Sequence, residues 1–333
     1  MSWILVDANA TPPRQVVQAG GSAKSWNSLP RAIIDVWPEM GRAGQAIGMS
    51  AIEHVGASST EFSREVNSGC GCAVRAIPVM GPDEGLSGIL LTVEKEAGAA
   101  PMRPPAAAGF NFDADRLLIR LSPELIGRVD SIASVGNERI SITLPEFFSY
   151  VDVPDALGII EAFLDFNEST RWEGAAFATV NGAVVNLHIS MSRTAPHYNW
   201  QGLIHEIAHS RSVIPTLDAA ALNAVSVLPQ RSSLCLIELQ KVRLLKWFNQ
   251  PPAGIQWKGV VDDRDTPHPE DVDRIFSEIR SIVSERRPRG SVRNVRLRRA
   301  SDRWTHVDCT AVVIQREGRA TLALVEMIIV GES

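Results

Sequence analysis

The sequence predicts an α+β chain of three modules, each an antiparallel sheet with short flanking helices. Three observations carry that expectation. Apolar alternating runs come in pairs around turn signals, such as Gly81-Pro82-Asp83-Glu84-Gly85 and Asn181-Gly182, and Asn-Gly is the strongest short hairpin signal. The stretch AGAAPMRPPAAAG, ending at Gly109, has almost nothing to bury and reads as a semi-extended linker. Val272, Ile275, Phe276, Ile279, Ile282 and Val283 recur at three- and four-residue spacing, which marks one helix with a buried stripe. At 333 residues the chain is long for one core and suits two or three domains.

In order, Trp3 to Val6 reads as a first strand, with Gln15 to Gln18 as its partner across the Pro12-Pro13 turn. A polar stretch with Ser22, Ser25 and Ser28 leads to helical patterning around Ile33, Ile34, Val36 and Trp37. Strands follow at Glu61 to Val66, Ala73 to Met80 and Leu86 to Val93, closing a first module over 1–95. A linker spans 96–109. The middle module, 110–212, has a strand at Arg116 to Leu121 and a helix whose first turn suits Pro145. A second helical run covers Asp155 to Phe166, a hairpin spans Phe177 to Met191, and a last strand begins at Trp200. The third module, 213–330, opens with a connector helix at 216–227. Strands at Leu234 to Leu239 and Val242 to Phe248 precede His268-Pro269-Glu270-Asp271, a helix start. There Pro269 has no N–H to leave unpaired, and two acids face the positive end of the helix dipole. Beyond Gly290 the period drops to two, with Val292, Val295, Leu297, Val307, Cys309, Ala311 and Val313 marking strands.

The order of His-Pro-Glu-Asp, helix, VRLRRASDRW and strand resembles the C-terminal half of a PAS domain, with Ala300-Ser301-Asp302-Arg303 at the turn where Asp-Gly is usual. The first module's AIPVMGPDEGLSGILLTVE looks like a PAS closing hairpin, and the middle module has a PAS- or GAF-like order of elements. With the MSWILV start and the WQGLIHEIAHSR segment, the whole chain resembles an actinobacterial (mycobacterial and rhodococcal) family of tandem PAS-GAF-PAS signalling proteins. That resemblance implies no enzymatic activity. It implies sensing or relay of a signal through a small apolar ligand, a protein partner or self-association. In such sheets a ligand would lie between the concave face and the helix laid over it. Leu236, Trp247, Trp257, Phe276 and Trp304 are then the expected lining of the C-terminal module.

Composition narrows the alternatives. The chain is 45% hydrophobic and 21% charged, with net charge −5, which gives no overall pull toward nucleic acid. Residues 1–20 lack a signal-peptide core, no apolar run reaches the length of a spanning helix, and four cysteines fit a reducing compartment, so the expected location is cytoplasmic. Within the arginine run from Arg286 to Arg303, Arg296 and Arg298 alternate with Val295 and Leu297, which places these two on a solvated or interface sheet face.

One enzymatic alternative stands out. His205-Glu206-Ile207-Ala208-His209 fits H-E-x-x-H, where two histidines one helical turn apart bind zinc and the glutamate activates water. A zinc-dependent hydrolase would use His205, His209 and a third ligand at Glu238. The segment follows Trp200-Gln201-Gly202, where a PAS-like module places its final strand, so the expected setting is a strand end with the histidines solvated or hydrogen-bonded. Cys70-Gly71-Cys72 departs from C-x-x-C spacing and reads as free thiols in a turn. No cofactor is identified: the sequence shows no Walker loop, dinucleotide fingerprint or nucleophile elbow.

Overall fold

The computed structural model describes residues 2–9, 15–66, 72–94, 103–126, 141–164, 171–193, 199–208, 232–259, 266–301, 303–314 and 321–332. In chain order these form β1 (Trp3–Asp7), β2 (Gln15–Ala19), β3 (Ser22–Ser28), α1 (Leu29–Val36), α2 (Gly41–Ser58), β4 (Phe62–Glu65), β5 (Ala73–Met80) and β6 (Leu86–Glu94). Then come β7 (Ala107–Asp113), β8 (Leu118–Leu121), α3 (Pro123–Ile126), β9 (Ser141–Thr143), α4 (Leu144–Tyr150), β10 (Val151–Asp152) and α5 (Ala156–Leu164). The remainder is β11 (Arg171–Val180), β12 (Ala183–Arg193), β13 (Asn199–Glu206), β14 (Ser233–Glu238), β15 (Arg243–Trp247), α6 (Pro269–Ser284), β16 (Arg289–Arg298), β17 (Trp304–Ile314) and β18 (Leu322–Glu332). The result is a mixed α/β protein dominated by antiparallel sheets, with few helices. It divides into two compact units, one of residues 1–113, 119–141 and 170–213, the other of 114–118, 142–169 and 214–333.

In the first unit a sheet runs β3-β2-β1-β6-β5-β4. Its strands alternate, so one face carries Ile4, Val6, Val74, Ala76, Ile89 and Leu91 beneath α1 and α2. The opposite face presents Trp3, Leu5, Val79 and Leu90, which pack on Leu203 of β13. A second sheet contributes the run β11-β12-β13-β7-β8 to this unit. The Asn181-Gly182 turn has positive φ at both residues (51° and 74°), the geometry a two-residue hairpin requires.

Several sequence expectations need correction here. The polar stretch after Gly21 is β3, an edge strand paired with β2, where polar side chains are tolerated on the open side. Residues 41–58 form an 18-residue helix without a strong apolar stripe, because its buried positions include Gly44, Gly48 and Ala51. A Cβ at Gly48 would meet Ile33 Cδ1 at 2.8 Å, so the small residue permits close packing on α1. Ala107 to Gly109, read as linker, belong to β7 and pair with Leu203 to His205. Their small side chains also meet a packing requirement, since a Cβ at Gly109 would lie within 2.9 Å of Gly81 Cα. The connector helix read at 216–227 and the linker residues 96–102 lie outside the described residues.

In the second unit a sheet runs β15-β14-β18-β17-β16, antiparallel throughout. Strand β18, unread in the sequence, is its centre. Helix α4 packs on β15 and starts from a capping box: Thr143 N–H and hydroxyl both donate to Glu146 Oε2 at 2.9 Å, while Glu146 N–H donates back. Helix α6 lies along β16. Its cap is as expected, with Pro269 in the first turn and the His268 ring accepting from Glu270 N–H at 3.3 Å. Among the described residues no helix is long and apolar enough to cross a membrane.

Candidate functional site: a cavity under the last helix

The concave face of the third sheet is built by strand alternation. Cys309 and Ala311 of β17, Val325 and Met327 of β18, and Ile237 of β14 with Leu239 just after it line the same side. One-residue irregularities reset that alternation twice. Between Val292 and Val295 the register shifts at Asn294, whose φ is +53° and whose N–H donates to Asp308 Oδ1 at 2.8 Å. A second shift, opposite Leu236 and Ile237, leaves Leu245 of β15 as the extra residue, so that Leu244 and Trp247 both reach the concave side. Over this face lies α6, presenting Ile275, Glu278, Ile279 and Ile282. Beneath it remains a cavity of about 140 Å³, walled also by Trp247, Trp257 and Ile255.

Two carboxylates hold α6 over the sheet. Asp271 is buried and accepts from Arg296 N–H and Nε at 2.9 Å each and from Arg274 Nη1 at 2.8 Å. Burial opposes ionisation of Asp271, yet the Arg296 and Arg274 hydrogen bonds outweigh it and bring its pKa down to about 2. Further along, Glu278 Oε1 accepts from Ser291 N–H at 3.2 Å and from Arg287 Nη2 at 3.3 Å. Both backbone donors lie on edge strand β16, so the helix carboxylates cover an edge that would otherwise be open. Beside Ser291, Gly290 admits the helix closely: a Cβ there would lie 2.6 Å from Glu278 Oε1. Arg296 is therefore a clamp on the helix start, a partner that its reading on a solvated or interface sheet face did not name.

Of the five lining residues expected from sequence, Trp247 and Trp257 are in the wall. The other three are not. Leu236 is fully buried but pairs with Leu324 and Lys246 on the opposite face of the sheet, because only its odd-numbered neighbours Cys235 and Ile237 join the concave core. Phe276 is half-buried and sits one residue off the inward stripe, which is Ile275, Glu278, Ile279 and Ile282. Trp304 stacks edge-on against His268 with ring centroids 4.9 Å apart, beside the helix cap. The cavity's polar members were missed. Glu278 was hidden because a charged residue in an amphipathic stripe reads as solvated. Cys309 was read as a buried strand residue. Burial pushes its thiol up to about 12, with Asp308 adding to the effect, so it is a neutral part of the wall. The indole N–H of Trp247 is buried without a hydrogen-bond partner.

The H-E-x-x-H segment is not a helix over its described part. His205 and Glu206 end β13, so consecutive side chains point to opposite faces. His205 is buried, not solvated, and its Nε2 lies 3.3 Å from Nδ1 of His188, its cross-strand partner. Burial lowers His188 to about 4; burial, then the neighbouring His188, lower His205 to about 3. Both rings are neutral near pH 7. His209 lies outside the described residues, as do Cys70 and Gly71. Glu238 is engaged locally, accepting from Arg243 Nε at 3.2 Å and from the Gln240 N–H at 2.7 Å. Among the described residues no three His, Cys, Asp or Glu side chains converge as a metal site.

No protein-family model matches the chain, and no match is found among curated proteins. Among solved structures, an uncharacterised protein from Mycobacterium tuberculosis is similar over 99% of this chain and 96% of its own, with a TM-score of 0.73 and 16% identity. That likeness extends to the fold alone. An RNA-binding light-oxygen-voltage receptor matches over 67% of this chain and 95% of its own at 8% identity, with a TM-score of 0.24. The E. coli DhaR(N)–DhaL complex matches over 62% and 79% at 11% identity, with a TM-score of 0.19. These last two scores are too low to carry any argument about fold or function.

Proposed function

We propose that this chain is a non-enzymatic sensor or relay, built of PAS- and GAF-like modules in series like the actinobacterial signalling proteins its sequence resembles. It acts by binding a small molecule or a protein partner, or by self-association. The observation that carries the reading is the apolar cavity between α6 and the concave face of the third sheet. A closed core would leave no such space, and ligand sites pair apolar walls with a few placed polar groups, here Glu278, Thr266 and Ser291 at the wall. Helix α6 is the natural reporter of occupancy, because its seat depends on the few hydrogen bonds of Asp271 and Glu278.

Native mass spectrometry of the freshly purified full chain tests this reading. The expected result is a non-covalently bound small molecule or a second copy of the chain. A bare monomer, or one zinc per chain that is lost on His205→Ala, would overturn it.

A further inference from the structure

We infer that the cavity under α6 takes an uncharged, apolar molecule about the size of a single aromatic ring. This deepens the sensing reading and rests on it. Size comes first: the cavity measures about 140 Å³, and an engineered apolar cavity of roughly 150 Å³ stays dry and binds benzene.

Charge comes next. The described wall is almost wholly aliphatic and aromatic; Glu278 and Thr266 in it are already engaged, and the unpartnered Trp247 indole N–H is an uncharged donor. Glu278 Oε1 holds Ser291 N–H and Arg287, and the Thr266 hydroxyl donates to the Gln256 carbonyl at 3.5 Å. A carboxylate entering here would meet Glu278 with no cation among the described wall residues. An ammonium would have to compete with Arg287 for Glu278 while losing its own hydration, and burying an unpaired charge is strongly unfavourable. The Cys309 thiol stays protonated, so it offers neither a thiolate nor a charge. What remains is an apolar slot faced by Trp247, Trp257, Ile279 and Met327, which suits a flat or compact neutral molecule chiefly through contact area.

The test uses the full chain with three probes: benzene, benzoate and naphthalene. Binding is read by thermal shift and by the indole N–H resonances of Trp247 and Trp257. Benzene is expected to raise Tm and to shift both indole signals, with benzoate weaker by roughly tenfold or more. Ala311→Leu fills the cavity from β17 and should abolish benzene binding while the chain stays folded. If that variant does not fold, Cys309→Leu serves the same purpose, and the indole shifts of the unaltered chain locate the ligand without any variant. Benzoate binding as tightly as benzene, or naphthalene binding while benzene does not, overturns the ligand class yet leaves the cavity a binding site. If no probe shifts either tryptophan, both the class and the cavity's sensing role fail.

Discussion

The first and third sheets are each antiparallel and each carry helices across one face, yet one interface is filled and the other is not. Under α1 and α2 the side chains of Ile33, Trp37, Ile52 and Val55 reach full burial, and Gly44, Gly48 and Ala51 let the helix sit close. Under α6 only Ile282 is fully buried among the inward aliphatic residues, while Ile275 and Ile279 are half-exposed to the space below. The helix is held there by carboxylates at the sheet edge rather than by a continuous apolar contact. Close approach of small residues closes a helix-sheet interface, whereas a helix suspended from edge hydrogen bonds leaves room for a guest.

The contrast can be broken most strongly by acid. His188 and His205 in the first unit are held neutral, with pKa values near 4 and 3 against an ordinary value of 6.5. Because the folded values lie below the unfolded one, their contribution is complete above about pH 6.5. It is lost as pH falls toward 3, when the unfolded chain binds more protons. In the second unit Asp271, near 2 against 3.8, loses its contribution only as pH falls below about 4. Hydrogen exchange followed from pH 7 to 4 should therefore show the first unit loosening before the second. His205→Leu should remove its own share of that early phase and leave that of His188, whose lowering comes from burial alone, and simultaneous loosening would discount the histidine pair.

Large-to-small substitutions sharpen the same comparison. Ile52→Ala, in the filled interface, should destabilise by about 2–5 kcal/mol. Ile279→Ala, which enlarges an existing cavity, should fall clearly below that range by urea unfolding. Equal losses would mean that α6 packs as tightly as α2. Next comes Asp271→Asn, which leaves the shape of the clamp but weakens charge-assisted bonds to Arg296 and Arg274. A loss of about 2–3 kcal/mol is expected, with faster exchange in β16 as the local readout. The smallest effect belongs to Trp247→Phe. It removes an indole N–H that has no partner, so stability should change by less than about 1 kcal/mol, and a large loss would reveal a hydrogen bond at that nitrogen.

Much of the secondary structure was legible because it follows from local chemistry. The strand at Ala73–Met80, the Asn181-Gly182 hairpin and the His268 cap with its acidic first turn all appear where their residues placed them. Helix α2 was not legible, since a helix that packs through Gly44 and Gly48 shows little hydrophobic period. Of the five candidate lining residues, Trp247 and Trp257 stand in the cavity wall, whereas Leu236, Phe276 and Trp304 do not. A one-residue error on a strand moves a side chain to the other face, and on a helix it turns the side chain by about 100°.

Local pattern alone thus determined that this chain would make antiparallel hairpins and a capped, amphipathic helix near its C-terminus, because turn residues, caps and alternation act over a few positions. Tertiary structure alone decided which faces meet. The shifts at Asn294 and Leu236 set the concave wall, Asp271 and Glu278 fixed α6 along β16, and His188 came to face His205 across 17 residues of sequence. Those outcomes depend on contacts between elements 13 to 25 residues apart, beyond the few positions over which turns, caps and alternation act.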